Sequence, residues 1–171
     1  MNKLMLNLLV RKVKQGDENA FAKLYQQTYK GVFSYAYSIV QNYHAAEDVT
    51  QETFIKVKLN VHAYKDDTNF SAWLLQITKN LSFNYLSKCK RESVTDDFST
   101  YSVDAKVDEM SEILSKALDV DERQVVVLHA VAGYKHREIA DIVGKPVGTV
   151  TWVYKNALAK LKKYLTQEVG K

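Results

Sequence analysis

The sequence predicts an all-α fold in which two helical modules are joined by a flexible linker. The chain has 171 residues but only one proline and six glycines, fewer turn residues than antiparallel sheets need. Apolar residues recur at steps of three and four along most of its length, the period of a helix with one buried face. One internal segment, residues 92–107, is polar and has no sustained period, so we interpret it as the linker.

Four helices are predicted in the first module, residues 1–91. Gly16 ends the first helix, and Asp17 is a suitable cap for the second. The start of the chain lacks a small-residue cleavage site and meets charges after a short apolar run, so no signal peptide is expected. No stretch approaches the roughly 20 apolar residues of a membrane span, which predicts no membrane insertion. The predicted helices cover about 4–13, 17–39, 45–60 and 69–91.

The second module, residues 108–171, contains a helix-turn-helix pattern. Periodicity returns at Met110, and Asp121 with Gln124 forms a predicted capping box. In "REIADIVGKPVGTVTWVYKNAL" a short helix precedes a turn at Gly144, and Pro146 presets the start of the next helix. A plain helical hairpin is the alternative interpretation.

The last helix carries a tryptophan on the side opposite its apolar stripe. A water-facing Trp152 would leave a large apolar surface uncovered unless a partner covers it. In a helix-turn-helix that partner is the major groove of DNA, which predicts that Trp152 contacts bases. Packing on the linker or on the first module is the alternative. The predicted apolar stripe comprises Val150, Val153, Tyr154, Ala157, Leu158, Leu161 and Leu165.

Two segments of the first module carry polar surfaces. "AAEDVTQETFIKV" groups acidic residues on one helix; such a group is usually a solvated face, but as a binding surface it suits a basic protein partner. "NFSAWLLQITKNLSFNYLSKCKR" alternates aromatic residues with lysines and asparagines. That combination suits single-stranded nucleic acid, whose bases stack and whose phosphates need neutralising.

Composition argues against an enzyme. The four histidines are scattered, no glycine-rich phosphate loop is present, and the single Cys89 has no activating motif. We therefore expect no catalytic residue, no metal and no cofactor. With one cysteine no internal disulfide can form, which favours the cytoplasm. The net charge of +4 is a mild bias that suits a polyanion partner.

Four blocks of the chain, in order, resemble the group IV (extracytoplasmic function, ECF) sigma factors of bacterial RNA polymerase. They are "GDENAFAKLYQQTY", "AEDVTQETFIKV", "FSAWLLQITKN" and "LDVDERQVVVLHAVAGYKHREIADIVGKPVGTV". The resemblance implies a sigma-2 domain at 1–91 and a sigma-4 domain at 108–171. It further implies binding to core RNA polymerase, promoter-specific initiation in response to an envelope or stress signal, and control by an anti-sigma factor, often membrane-bound.

The resemblance also assigns residues to three surfaces. The polymerase-binding set is Asp48, Gln51, Glu52 and Phe54. The set for the melted minus-10 element is Tyr64, Lys65, Asn69, Lys79, Asn80, Asn84 and Lys88, and the loop at 64–69 matches the one that captures a flipped base. The minus-35 set is Lys145, Thr149, Thr151, Trp152, Lys155 and Asn156.

Three positions depart from the family pattern. Asn84 stands where members often have Asp, and "TWV" replaces the usual basic sequence after "GTV", so the promoter preference cannot be transferred. Lys135 replaces the Ser of an S-x-x-E box, so Glu138 loses its reciprocal cap. The rival interpretation is a dimeric helix-turn-helix regulator that binds duplex operator DNA.

Overall fold

The computed structural model of the chain describes residues 3–92 and 109–169, and within these ranges it contains helices and no strand. The predicted linker, 92–107, lies outside the described residues apart from Glu92 at the end of a helix. The helices are α1 Lys3–Lys14, α2 Glu18–Val40, α3 Tyr43–Asn60, α4 Phe70–Glu92, α5 Glu109–Ala117, α6 Val120–Val126, α7 His136–Val143 and α8 Val147–Val169. A 3₁₀ turn, Val61–Ala63, follows α3, and a π-helical segment, Val127–Val131, continues α6.

The first module is a bundle of α1 to α4 whose helix starts follow local capping chemistry. The Asp17 side chain accepts a hydrogen bond from the Ala20 N–H at 2.9 Å, so the predicted cap of α2 is confirmed. Asn42 caps α3 in the same way through the Ala45 N–H. No membrane-spanning length of apolar helix occurs among the described residues.

The capping box of α6 begins two residues earlier than predicted. The capping box joins Asp119 and Glu122, whose side chains each accept a backbone N–H of the other residue. The predicted box of Asp121 with Gln124 is therefore wrong, because both residues lie inside α6. At α7, Glu138 still accepts the Lys135 N–H at 2.9 Å, so only the reverse bond is missing, since a lysine side chain has no acceptor.

The two modules pack against each other around one continuous apolar core. Buried residues of the first module, such as Leu74 and Leu75, belong to the same cluster as Ile139 and Ile142 of α7. Hydrogen bonds cross the boundary between the described residues, among them Tyr35 Oη to Gln124 Oε1 at 2.8 Å, Arg123 Nε to the Ser38 carbonyl at 3.0 Å, and Lys79 Nζ to the Val143 carbonyl at 2.8 Å. The modules are thus not independent in this arrangement.

The buried bond between Tyr35 and Gln124 yields a stability prediction. Burial raises the pKa of Tyr35, so its hydroxyl stays protonated and donates to the amide oxygen. Tyr35→Phe leaves that oxygen buried without a donor, and we expect the free energy of unfolding to fall by about 1–3 kcal/mol. Denaturant unfolding measures this loss. Tyr43→Phe, at a ring that is 40% exposed, is the control and should change stability little; equal stability of both variants would contradict the prediction.

The buried stripe of α8 is narrower than the sequence predicted. Val150, Val153 and Ala157 are buried, whereas Leu158 and Leu165 are 44% and 43% exposed. Tyr154 and Leu161 are half-buried and pack toward α5 and α6. Leu158 and Leu165, which the sequence places on the apolar stripe, are thus not buried among the described residues, because the packed helices cover only part of that face.

Candidate nucleic-acid and polymerase interfaces

One face of α3 exposes the predicted acidic surface. Asp48, Gln51 and Glu52 are exposed, and their spacing of three and four residues places them on the same side of the helix. Phe54 differs, because its side chain is 4% exposed and its ring lies 4.6 Å from that of Tyr25. We therefore assign Phe54 to the core and remove it from the proposed polymerase contacts.

A groove of about 570 Å³ lies between α3 and α4 and joins two of the predicted surfaces. We call it the α3–α4 groove. Asp48 and Glu52 line its α3 side, and Asn80, Asn84 and Lys88 line its α4 side. The two sets are about 30 residues apart in sequence, yet the bundle brings them to one concave surface. Carboxylates repel phosphates, so nucleic acid is favoured on the α4 side and a basic protein on the α3 side.

Apart from Lys79, the predicted minus-10 residues fall into two groups in the structure. Lys65, Asn80, Asn84 and Lys88 are exposed. Tyr64 is 3% exposed and packs on Phe70 and Trp73, while the Asn69 side chain accepts the Ala72 N–H at 3.1 Å. These last two positions shape the loop rather than present free polar groups.

Lys79 is engaged within the protein. Its Nζ donates to the Val143 carbonyl at the end of α7, and it is half-buried. Burial, followed by the charge of Lys145, lowers the pKa of Lys79, while Asp121 opposes the shift. A contact between Lys79 and DNA therefore requires its hydrogen bond to the Val143 carbonyl to break.

The helix-turn-helix is formed by α7, a turn and α8. Gly144 adopts a left-handed conformation with φ 71°, and both its N–H and that of Lys145 bond to the Ala140 carbonyl. This turn sets the direction of α8 and leaves Thr149, Trp152 and Lys155 exposed, Trp152 at 66%. Among the described residues the first module does not bury Trp152, and the alternative of packing on the linker falls on residues outside the described ranges.

Three other predicted minus-35 residues make bonds inside the module. Lys145 Nζ pairs with Asp121, Thr151 Oγ1 donates to the Val147 carbonyl, and Asn156 Nδ2 donates to Glu122 Oε1 at 2.8 Å. Glu122 is 4% exposed and also binds Lys160 at 2.6 Å. Sequence reasoning missed Glu122, although its position three residues after Asp119 is a capping-box signal.

A cluster of two histidines and a tyrosine packs behind the exposed face of α8. The rings of His129, His136 and Tyr154 lie 4.6 to 5.2 Å apart. Thr151 donates its hydroxyl to Val147, so it accepts from Nδ1–H of His136, which leaves His136 Nε2 unprotonated. That nitrogen is buried without a partner, and burial together with His129 lowers the pKa of His136.

This lowered pKa predicts that acid destabilises the module. The unfolded chain takes up a proton near the ordinary pKa of 6.5, whereas folded His136 takes it up at lower pH. The stability contribution is therefore complete above about pH 6.5 and decreases as the pH falls from there toward the folded-state pKa. Denaturant midpoints at pH 7.5 and 5.5 should differ less in His136→Phe than in the unaltered protein. His62→Gln, at an exposed position, is the control and should keep the full difference; an unchanged difference in His136→Phe would refute the assignment.

Comparison with known proteins identifies the family. The family model of Sigma-70 region 2 matches residues 24–92, and that of Sigma-70, region 4, matches residues 109–161. The ECF RNA polymerase sigma factor SigW of Bacillus subtilis is 30% identical over 167 residues, covering 86% of this chain and 89% of SigW. The chain belongs to the ECF sigma factors. Sigma factors of this family bind core RNA polymerase and promoter DNA.

Solved structures support the same fold for this sigma factor. CnrH, solved in complex with the cytosolic domain of CnrY, has a TM-score of 0.75 at 25% identity and covers 95% of this chain, with 98% of its own chain matched. The sigma factor RpoE of Bartonella quintana, solved with the anti-sigma factor NepR, has a TM-score of 0.72 at 21% identity, with coverages of 85% and 96%. The region 2 match contains the α3–α4 groove, and the region 4 match contains α7 and most of α8.

Proposed function

We propose that this sigma factor binds core RNA polymerase and directs it to promoters by recognising two DNA elements, without catalysing a reaction itself. The α3–α4 groove carries the proposal, because it sets a carboxylate surface beside an amide and lysine surface. A separate exposed helix face in the second module supplies the other DNA surface. Its place of action would be the cytoplasm, where RNA polymerase transcribes.

The carboxylate side of the groove is the proposed polymerase surface. Asp48, Gln51 and Glu52 are exposed and face outward from α3. A basic protein surface would complement the two carboxylates, which increases both association rate and specificity. DNA phosphates at the same place would be repelled.

The opposite side of the groove is the proposed minus-10 surface. Lys65 and Lys88 would neutralise phosphates, and the amides of Asn80 and Asn84 offer donors and acceptors to unpaired bases. The loop at 64–69 would hold one base outside the stack, a step that costs least when the strand is already melted. Tyr64 and Asn69 support this loop from inside.

The exposed face of α8 is the proposed minus-35 surface. Thr149, Trp152 and Lys155 would enter the major groove, with Trp152 covering apolar base edges and Lys155 pairing with phosphate. Lys145, Thr151 and Asn156 contribute if they exchange their present partners for DNA groups. Otherwise their role is to fix the orientation of α8.

The closed packing of the two modules suggests how activity is controlled. Lys79 must give up its bond to the Val143 carbonyl of α7 to contact DNA, so promoter binding and the closed arrangement of the modules compete for this side chain. The structural neighbour CnrH binds the cytosolic domain of another protein. We propose an anti-sigma factor, free or membrane-anchored, as the partner that holds the modules together until a stress signal releases the sigma factor.

Binding to core polymerase distinguishes this proposal from a dimeric operator-binding regulator. Analytical ultracentrifugation of the free chain should give a monomer, and addition of core RNA polymerase should give a one-to-one complex. A stable dimer that binds duplex DNA without polymerase would favour the regulator and contradict the proposal.

A further inference from the structure

The loop between the 3₁₀ turn and α4, residues 64–69, is held by the first helix. Asp67 has a positive φ of 63°, a left-handed conformation that residues other than glycine adopt at some cost. Such a conformation persists when surrounding contacts determine it. Side chains of α1, more than 50 residues earlier in the chain, bind Asp66 and Asp67, and within the loop the Thr68 hydroxyl donates to the Lys65 carbonyl at 2.7 Å.

Two basic residues of α1 make these contacts. Arg11 Nη2 donates to both Asp67 carboxylate oxygens, at 2.9 and 2.7 Å. Lys14 Nζ donates to Asp66 Oδ1 and to the Tyr64 carbonyl, each at 2.6 Å. Arg11 and Lys14 are three residues apart, so they share one face of α1, and buried Val10 and Val13 fix that helix to the bundle.

The same contacts change the charge of the loop. Asp66 and Asp67 would repel the phosphates of a DNA strand that approaches the neighbouring exposed residues Lys65 and Thr68. Arg11 and Lys14 neutralise both carboxylates, and Lys65, on the exposed surface of the loop, has no ion pair among the described residues. The four side chains of these ion pairs are 18% to 70% exposed, so the pairs contribute little to the free energy of unfolding.

We propose that Arg11 and Lys14 are positioning residues for capture of the unpaired minus-10 base. They hold the 64–69 loop in its shape and cancel its negative charge, and they do so without touching DNA. The inference rests on the proposed function, since it assumes that this loop receives the base. It adds α1 to the elements on which promoter recognition depends.

The test measures how substitutions in α1 change the effect of removing single bases from the promoter DNA. Holoenzyme reconstituted with core polymerase is bound to pre-melted promoter DNA in which each minus-10 position is made abasic in turn. With the unaltered protein, affinity should fall roughly ten-fold at the captured base, the scale of one stacked base. In the double variant Arg11→Gln/Lys14→Gln, the same abasic site should lower the affinity by less than about two-fold, because the loop no longer holds the base.

Matched variants separate positioning from damage to the fold. Lys58→Gln removes an exposed lysine that lies outside the loop, where its Nζ pairs with Glu18 at a distance of 2.9 Å. This variant should keep the full loss of affinity at the abasic site. Asp67→Asn removes the negative charge that pairs with Arg11, and asparagine tolerates a positive φ. The affinity loss at the abasic site should therefore be smaller in this variant, which gives a test even if the double variant folds poorly.

Several outcomes would overturn the inference. One is that the double variant keeps the ten-fold loss of affinity at the captured base. Another is that its affinity falls by the same factor whichever minus-10 position is abasic. If the unaltered holoenzyme initiates at promoters but shows no abasic penalty, the inference fails and the proposed function stands. If it does not initiate at any promoter, both fail.

Discussion

Trp152→Ala is expected to lower the use of promoters that depend on the minus-35 element while leaving the protein folded. The side chain is 66% exposed on α8, so its removal empties little of the core. A lost base contact in the major groove costs about 1–3 kcal/mol of discrimination, or roughly five- to 150-fold. Duplex binding to matched and mismatched minus-35 sequences measures this loss.

The second tryptophan provides the control for that experiment. Trp73 is half-buried and packs on Tyr64 and Phe70 in the first module. Trp73→Ala should reduce stability by roughly 3 kcal/mol and leave minus-35 discrimination unchanged. If Trp152→Ala instead showed normal promoter choice and a large fall in melting temperature, Trp152 would be a packing residue and the assignment of the α8 face would be wrong.

Charge reversal at Asp48 or Glu52 is expected to weaken core polymerase binding by at least about ten-fold, since like charges placed opposite each other cost several kcal/mol. Both residues are exposed on α3, and Glu52 makes only a 3.6 Å pair with Lys56. The substitutions Asp48→Lys and Glu52→Lys should therefore leave the melting temperature nearly unchanged. Titration of labelled protein with core polymerase measures the affinity.

Glu112→Lys is a closely matched control for these reversals. Glu112 is also exposed and also pairs with a lysine four residues later, Lys116, but it lies on α5 of the second module. Its reversal should leave polymerase affinity within about two-fold, the scale expected of an exposed pair. Unchanged affinity in both α3 variants would remove the polymerase surface from this face.

The sequence predicted the helices because their signals are local. Asp17 and Gly16 mark a helix boundary through bonds within a few residues, and apolar periodicity placed Val150, Val153 and Ala157 on the buried face of α8. The helix-turn-helix followed from the spacing of Gly144 and Pro146. The capping box of α6 was misplaced because two acidic residues, Asp119 and Asp121, offered competing registers.

The packing between the modules was not predictable in the same way. Tyr35 and Gln124 are 89 residues apart, and nothing in either local pattern marks them as partners. The same applies to Lys79 and Val143, whose contact occupies a residue assigned to DNA. Phe54 and Tyr64 look like surface candidates in the sequence, and only the three-dimensional packing of aromatic rings shows them to be buried.

Transcription reconstituted from core RNA polymerase and this protein tests the central claim most directly. Sequencing the transcripts made on fragmented genomic DNA gives the start sites and the DNA upstream of each. We expect defined start sites that share two upstream elements at a fixed spacing; Trp152→Ala should remove dependence on one element, and Asn80→Ala on the other. Transcripts no different from those of core polymerase alone, with the protein bound to it, would contradict the proposed function.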